Sequence, residues 1–306
     1  MLNSCDFRRT LKVAITGLAI LAAACIPAAG QQGGLGHDAD VESSQLPEWL
    51  PYDGHNDRTE LNLAMESYKK GVDAYRNGHF DAAILHFRNV LQVYPNMTLA
   101  KIYLGTSLAQ KVAPGVDTPE NLKNAQQAID AFQGVLAMLP HDVRSMKQIA
   151  GINFSINRLE ESKSWQKRVL AEEPKDAEAT FAVGVIDGME AQQNAQAALA
   201  QAGLKDDYEG NAKAPAEVMA KIKAQNGALV EEALLYLNQA IENRPDYDNA
   251  MTFLGLAYRR KADLDWGNEA ARKDDVAKAE EWIRKAKETH KANEEKKSAG
   301  AESAKP

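Results

Sequence analysis

Four prolines constrain this chain more than any other feature. Pro95, Pro140, Pro174 and Pro245 each close an amphipathic run, and Pro140 and Pro174 stand 34 residues apart. A period of that length marks a unit of two helices that cannot bury its apolar face alone and must stack on copies of itself. The first unit shows the physics. Gly71 is small where a first helix (helix A) crosses a second (helix B) closely. Gly78 supplies the tight turn between them. Ala83 is small where helix B presses on helix A. Phe87 and Leu91, four apart, fill the space between the helices, and Pro95 ends helix B.

The pattern recurs in register. A second copy has Tyr103-Leu104-Gly105, then Ala128, Phe132, Leu136 and Pro140. A third has Ile149-Ala150, Phe154, Val169-Leu170 and Pro174, with Ser162 and Gln166 where a small residue and an aromatic are expected and Trp165 placed to fill the gap. A fourth has Phe181, Gly184, Ala233, Leu237, Ala240 and Pro245, and a fifth Leu254-Gly255, Tyr258, Ala279, Trp282 and Ala286. Asp142 and Asp176 follow their prolines at equal distance and suit the N-caps of the next helices.

Copies two, four and five are too long. Gly71 to Ala83 is 12 residues, whereas Gly105 to Ala128 is 23, Gly184 to Ala233 is 49 and Gly255 to Ala279 is 24. Every excess falls between helix A and helix B, so the insertions are expected along one edge, where such additions often mark a binding face. In the first, Pro114-Gly115 turns, Thr118 caps a helix, and Pro119 and Glu120 suit its first turn. The second reads as an extended helical hairpin, with residues 191–203 helix-prone, 204–214 the tip, and a helix from Pro215 to Asn243. In the third, Asp265-Trp266-Gly267-Asn268 turns into a charge-balanced final helix suited to capping the stack.

These residues resemble the tetratricopeptide repeat (TPR). The resemblance covers residues 64–293; the PGVDTPEN insertion and the LGLAYRRKADL segment at 254–264 are similar to an exported bacterial TPR group without an assigned activity. It implies an all-α fold, a right-handed superhelical solenoid of five helix pairs, with repeats at about 64–97, 98–142, 143–176, 177–247 and 248–293 within a solenoid at 60–295. It further implies a concave groove lined by helices A that takes a peptide or protein partner. The groove residues carried over are Tyr68, Val72 and Tyr75, Ile102 and Thr106, Lys147, Phe181 and Val185, and Thr252 and Leu256. The basic clamp that holds C-terminal carboxylates in some TPR domains is not assembled at these places. A largely apolar groove that takes a hydrophobic peptide is one reading; side chains that fill the groove themselves, or cover the chain's own Trp49 and Tyr52, are the other.

The N-terminus reads as an export signal at residues 1–24. Arg8, Arg9 and Lys12 precede twelve uncharged residues, which rise only about 18 Å as a helix against a bilayer core of about 30 Å. Ala22-Ala23-Ala24-Cys25 resembles a lipobox and makes Cys25 the expected lipidation site; cleavage after Ala24 or Gly30 without lipid is the competing reading. Residues 25–59, rich in Gly, Gln, Ser and Asp, read as a flexible tether, with Trp49, Leu50 and Tyr52 suited to capping the first helix. His37, Asp38, Asp40, His55 and Asp57 lack metal-ligand spacing. Residues 296–306 are expected to fray.

The function classes narrow accordingly. A net charge of -7 opposes a nucleic-acid binder, which needs a basic stripe. Cys5 and Cys25 allow at most one disulfide. No nucleophile elbow, P-loop, G-x-G-x-x-G, H-E-x-x-H or CxxC occurs; His79 falls in the turn between helices A and B, His86 on helix B beside Phe87, His141 after a helix-ending proline and His290 in the terminal helix, so they form no cluster. No cofactor and no catalytic activity are expected. The reading is a non-catalytic scaffold of the periplasm or outer membrane with a protein or peptide partner, touching membrane only through a lipid on Cys25. An accessory subunit of an envelope enzyme, secretion or assembly complex is the alternative, as is a structural repeat with a self-filled groove.

Overall fold

The computed structural model describes residues 58–303, with side chains from Glu60 to Ala299. The signal, Cys25 and the tether with Trp49, Leu50 and Tyr52 lie outside the described residues. Ten helices follow in order: α1 Arg58–Arg76, α2 Phe80–Val93, α3 Thr98–Ala109, α4 Pro119–Leu136, α5 Val143–Ser155, α6 Leu159–Glu172, α7 Ala177–Gln201, α8 Ala216–Asn243, α9 Asp248–Leu264 and α10 Glu269–Ser303. No strand occurs among the described residues. The chain divides into two compact units within α6, the first ending at Arg168 and the second beginning at Val169.

One contact repeats through both units. A Cβ placed on Gly71 would stand 2.9 Å from Phe87, on Gly105 2.9 Å from Phe132, on Gly184 2.7 Å from Leu237, and on Gly255 2.7 Å from Ile283. Helix A therefore brings bare backbone against one large side chain of helix B in each of these pairs. Phe87, Phe132, Leu237 and Ile283 are all buried. In the fifth pair it is Ile283, not Trp282, that fills the crossing; Trp282 stays half-buried with the Lys285 ammonium 4.5 Å from its ring centre. The third pair differs again. Trp165 does not fill the aromatic place: it is half-buried under the Arg168 guanidinium, 4.0 Å away. Gln166 and Ser162 are themselves buried, and Ser162 Oγ and Gln166 Oε1 have no hydrogen-bond partner.

In the first unit α1 packs on α2, α2 on α3, α3 on α4 and α4 on α5, while α1 also meets α3 and α3 meets α5. Helix starts follow their caps. Thr118 Oγ1 accepts from the Asn121 amide, with Pro119 in the first turn; Asp142 accepts from the Ser145 amide and Asp176 from the Ala179 amide. The first insertion is an ordered loop pinned by the buried Asn121. Its Oδ1 accepts from Ala113 N–H at 2.7 Å, and its Nδ2 donates to the Ala113 and Val116 carbonyls at 3.0 and 2.7 Å. Gly115, at φ +72°, donates its N–H to the Ser155 carbonyl at the end of α5.

In the second unit α7 and α8 form the long hairpin, α9 packs on both, and α10 packs on α9. The hairpin's outer half has its own core. Ala195, Ala198 and Leu199 of α7 meet Met219 and Ile222 of α8, with Leu204, Val218 and Trp266 against them. Trp266 belongs to the third insertion, so the second and third insertions share one apolar cluster. α10 continues to Ser303, into the segment expected to fray. Its Glu and Lys residues favour helix, and Lys297 pairs with Glu294 one turn away.

Asn121→Ala should lower the stability of the first unit by about 1–2 kcal/mol, because three backbone groups lose their partner. Asn121→Asp should lose at least as much, because it keeps the acceptor for Ala113 N–H but turns a carboxylate oxygen on the Ala113 and Val116 carbonyls with no proton to donate. Urea denaturation of the two variants beside the parent checks the order.

Candidate functional site

Two arrangements offer chemistry for recognition: the helix-A face carried over from the repeat pattern, and the joined insertions of the second unit.

On the helix-A face the expected residues separate by burial. Tyr68 lies in the core, its ring edge-on to Phe87 at 5.9 Å and to Tyr103 at 6.1 Å, and burial raises its hydroxyl above the ordinary tyrosine value. Thr106 is buried and donates to the Ile102 carbonyl at 2.8 Å. Phe181 is buried under Tyr247 and Phe253, with centroids 4.8 and 5.5 Å away, and Val185 is fully buried. These four therefore stand inside the packing instead of on an open groove wall. For Tyr68 and Phe181 the reason is local: aromatic side chains of the next helices close over them. Val72, Tyr75, Ile102, Lys147, Thr252 and Leu256 remain half-exposed. Tyr75 is held by Tyr103 and Phe80, at 5.6 and 5.9 Å, and burial raises its hydroxyl too. In the first unit this leaves Val72, Tyr75 and Ile102 as an apolar surface with Lys147 on the neighbouring helix A.

The joined insertions form a clasp that sequence patterning did not reveal. Arg260, in α9, has a side chain only 1% exposed. Its guanidinium is 2.9 Å from Asp206 of the hairpin tip and 2.9 Å from Asp263 one turn along α9. Asn211, also in the tip, donates to both carboxylates, at 3.1 and 2.8 Å. Arg259 donates to the Tyr208 carbonyl at 3.0 Å, and Arg272 of α10 donates to the Glu209 carbonyl. Asp206 and Asp207 take up the amides of Tyr208, Glu209 and Asn211. Tyr208, Gly210 and Asn211 have φ of +59°, +87° and +47°. Gly210 cannot be replaced without a shift, because a Cβ there would lie 2.7 Å from the Ala262 carbonyl oxygen.

The electrostatics follow from burial and the shared arginine. Burial works to raise the Asp206 carboxyl, but the Arg260 charge and hydrogen bond, with those of Tyr208 and Asn211, hold it below its ordinary value. For Asp263 burial wins over Arg260, Asp206 adds its repulsion, and the carboxyl is pushed up to about 6. Nearby, burial and a hydrogen bond with Asp265 push Asp275 up to about 6, with Lys261 set 2.7 Å from Asp265 and 3.7 Å from Asp275. The signal for this clasp was in the sequence as Arg259-Arg260 and Asp263 within the 254–264 segment, but nothing in the repeat pattern paired it with residues 206–211.

Among the described residues no group of three or more His, Cys, Asp or Glu side chains is placed to hold a metal. The histidines stay apart; His86 meets Ser67 at 3.5 Å and His290 meets Asp248 at 2.6 Å. No described helix is long and apolar enough to cross a membrane.

A family model described as tetratricopeptide repeat matches residues 68–115. No curated protein matches the chain. Among solved structures, MamA (residues 41 to the end) from Desulfovibrio magneticus RS-1 is 16% identical, with a TM-score of 0.49, over 76% of this chain and 97% of that one. YrrB, described as a TPR protein with an unusual peptide-binding site, is 13% identical, with a TM-score of 0.48, over 78% of this chain and 94% of that one.

Arg260→Ala should cost about 3–5 kcal/mol, because it strands two buried carboxylates. Denaturation of the full chain measures the loss, and hydrogen exchange should show it confined to the tip and its neighbours. The raised Asp263 carboxyl adds a pH dependence of known sign. It binds its proton more tightly folded than unfolded, so its contribution is complete below about pH 4 and is lost as pH rises through about 6. Asp263→Asn should remove that part of the slope of stability against pH, on the order of 1–2 kcal/mol between pH 4 and 7. Asp206, whose shift is opposite, acts only below pH 4.

Proposed function

We propose that this chain, a tetratricopeptide-repeat protein, is a non-catalytic scaffold of the bacterial envelope that binds an extended or helical peptide of a protein partner on the helix-A face of its first unit. The observation that carries the reading is the half-exposed set Val72, Tyr75 and Ile102 beside Lys147. Equivalent positions of successive repeats line up there, so a peptide meets apolar side chains at regular intervals and a cation at one end. Each apolar side chain buried by a partner contributes up to about 1.5–3 kcal/mol. The tyrosines suit this role, being amphipathic and held in place by neighbouring rings.

The envelope location rests on the basic, then uncharged, N-terminal segment ahead of Cys25. Mass spectrometry of the mature N-terminus tests it: a diacylglyceryl-modified Cys25 is expected, and a chain beginning at Gln31 overturns the anchor. Pull-down from crosslinked envelopes tests the face. Tyr75→Asp and Ile102→Asp, with helicity and melting retained, should abolish partner recovery; undiminished recovery overturns the assignment.

The clasped insertions favour a second reading, in which the 189–227 hairpin reaches a catalytic partner as an accessory subunit. Lys205, Asp207, Glu209 and Lys213 are exposed on a tip of fixed geometry. Partners that survive the Tyr75 and Ile102 variants but are lost on Lys205→Glu with Lys213→Glu belong to that surface.

A further inference from the structure

Two consecutive residues of α9 each hold a pair of carboxylates from different parts of the second unit. Arg260 joins Asp206 of the hairpin tip to Asp263 of its own helix, both at 2.9 Å. Lys261 joins Asp265, where the third insertion begins, to Asp275 of α10, at 2.7 and 3.7 Å. Little of this is wet: the side chains of Asp206, Asp263 and Asp275 are 5%, 1% and 6% exposed. Four carboxylates thus share two cations. A carboxyl buried without a cation of its own takes a proton instead of keeping a bare charge.

The contacts show where the two protons sit. Asp206 and Asp263 share Arg260 and the Asn211 amide, but Asp206 also accepts from the Tyr208 amide at 2.9 Å and from Gln192 of α7 at 3.3 Å. The negative charge settles on Asp206 and the proton on Asp263. Asp265 and Asp275 hydrogen-bond to each other. Carboxylates only accept, so that bond exists only while one of the pair carries a proton. Asp265 has Lys261 at 2.7 Å, whereas Asp275 Oδ2 is buried and accepts from no donor of the protein, so the proton belongs to Asp275. The other charges nearby leave this balance in place. Arg259 faces Glu280 of α10 at 3.7 Å, Arg272 donates to the Glu209 carbonyl, and Lys278 pairs with Asp274. From α8, Lys223 acts on Asp265 and Glu231 on Lys261, with opposite signs, and Asp207 of the tip adds repulsion at Asp263.

We propose that the joined insertions are a latch closed by two protons, one on Asp263 and one on Asp275, which opens locally at the tip and at the turn 265–268 in alkaline solution while the helices stay packed. Trp266 couples the two ends, because it follows Asp265 and packs in the outer core of the hairpin. The sign follows from the two raised carboxyls. Each binds its proton more tightly closed than open, so the advantage of the closed form is complete below about pH 4 and is lost as pH rises through about 6. A carboxyl raised from 3.8 to about 6 shifts the opening equilibrium on the order of 100-fold over that whole range, and about tenfold between about pH 5 and 8. Lys205, Asp207, Glu209 and Lys213, exposed on the tip, therefore hold one arrangement in mild acid and lose it above neutrality. The latch concerns the order of the tip and not its ligand, so it stands under either partner reading.

Hydrogen exchange on the full chain tests it, with each rate divided by the intrinsic rate at that pH. The amides of Tyr208, Glu209 and Asn211 bond to tip carboxylates, and those of Trp266 and Asn268 bond within the turn. Their protection should fall about 100-fold between about pH 5 and 8, tenfold for each carboxyl, while the amides of α1 to α4 change little. Asp263→Asn with Asp275→Asn leaves both places uncharged and should keep the protection level across that range. Unchanged protection in the parent, an equal loss in α1 to α4, or the same loss in the double variant each overturns the latch. If the double variant does not fold, carboxyl NMR of the parent decides: Asp263 and Asp275 should both titrate near pH 6, and a midpoint at either one near the ordinary value of about 4 overturns the latch.

Discussion

Everything in this fold depends on how closely helix A can approach helix B. Four glycines, Gly71, Gly105, Gly184 and Gly255, let the backbone of one helix rest on a single large side chain of the next, with no room for even a Cβ. That side chain, Phe87, Phe132, Leu237 or Ile283, then reaches full burial without a thick core around it. The arrangement explains how a chain with only 7% aromatics builds its helix pairs: each of these crossings needs one bulky residue at one place, and a fully buried alanine, Ala83, Ala128, Ala233 or Ala279, one turn before it on helix B. The third pair has Ala150 and the buried polar Gln166 at the equivalent positions, and it is within that pair's helix B that the chain divides into two compact units. A polar group left without a partner in a core position lowers local cohesion, which accords with a division at that helix.

The insertions leave this contact untouched. Each is added between helix A and helix B, beyond the crossing, so the glycine and its partner keep their pairing while the sequence between them grows. What had to be solved anew is how the added chain holds its shape. The first insertion uses one buried asparagine to bind its own backbone. The second and third lean on each other, through Trp266 in the hairpin's small core and through Arg259, Arg260 and Arg272 reaching back to the tip.

The helix pairs, the caps at Thr118, Asp142 and Asp176 and the hairpin were legible in the sequence because each depends on residues near in sequence: a proline after a periodic run, a cap three places before its amide, a helix-prone stretch before a turn. The clasp was not, because Asp206 and Arg260 are 54 residues apart and neither has a local reason to be where it is. Side-chain choice at a shared place was also hidden. Periodicity put Trp165 and Trp282 close to the crossing but could not decide a rotation of one residue, and in both cases the neighbour, Gln166 or Ile283, went in. Burial on the helix-A face was hidden for a similar reason. Repeat register chose the positions on α1, α3, α7 and α9, but could not show that Tyr247 and Phe253, from the following pair, would cover Phe181.

The clasp also shows what kind of stability is at stake. A buried arginine with two carboxylates gains little net energy over apolar groups of the same volume, since desolvation offsets most of the attraction. Apolar groups, though, would accept several placements of a loop that is held by few other contacts. Arg260 accepts one. It must satisfy Asp206 and Asp263 together, Asn211 must bridge the same two carboxylates, and Gly210 must pass over the Ala262 carbonyl where no other residue fits. Three residues in left-handed backbone, each unfavourable alone outside glycine, are retained because the network over-determines them. A loop fixed at such cost has a definite surface, and the energy that is not spent on net stability is spent on uniqueness of shape, the property that a recognition surface requires and a linker does not.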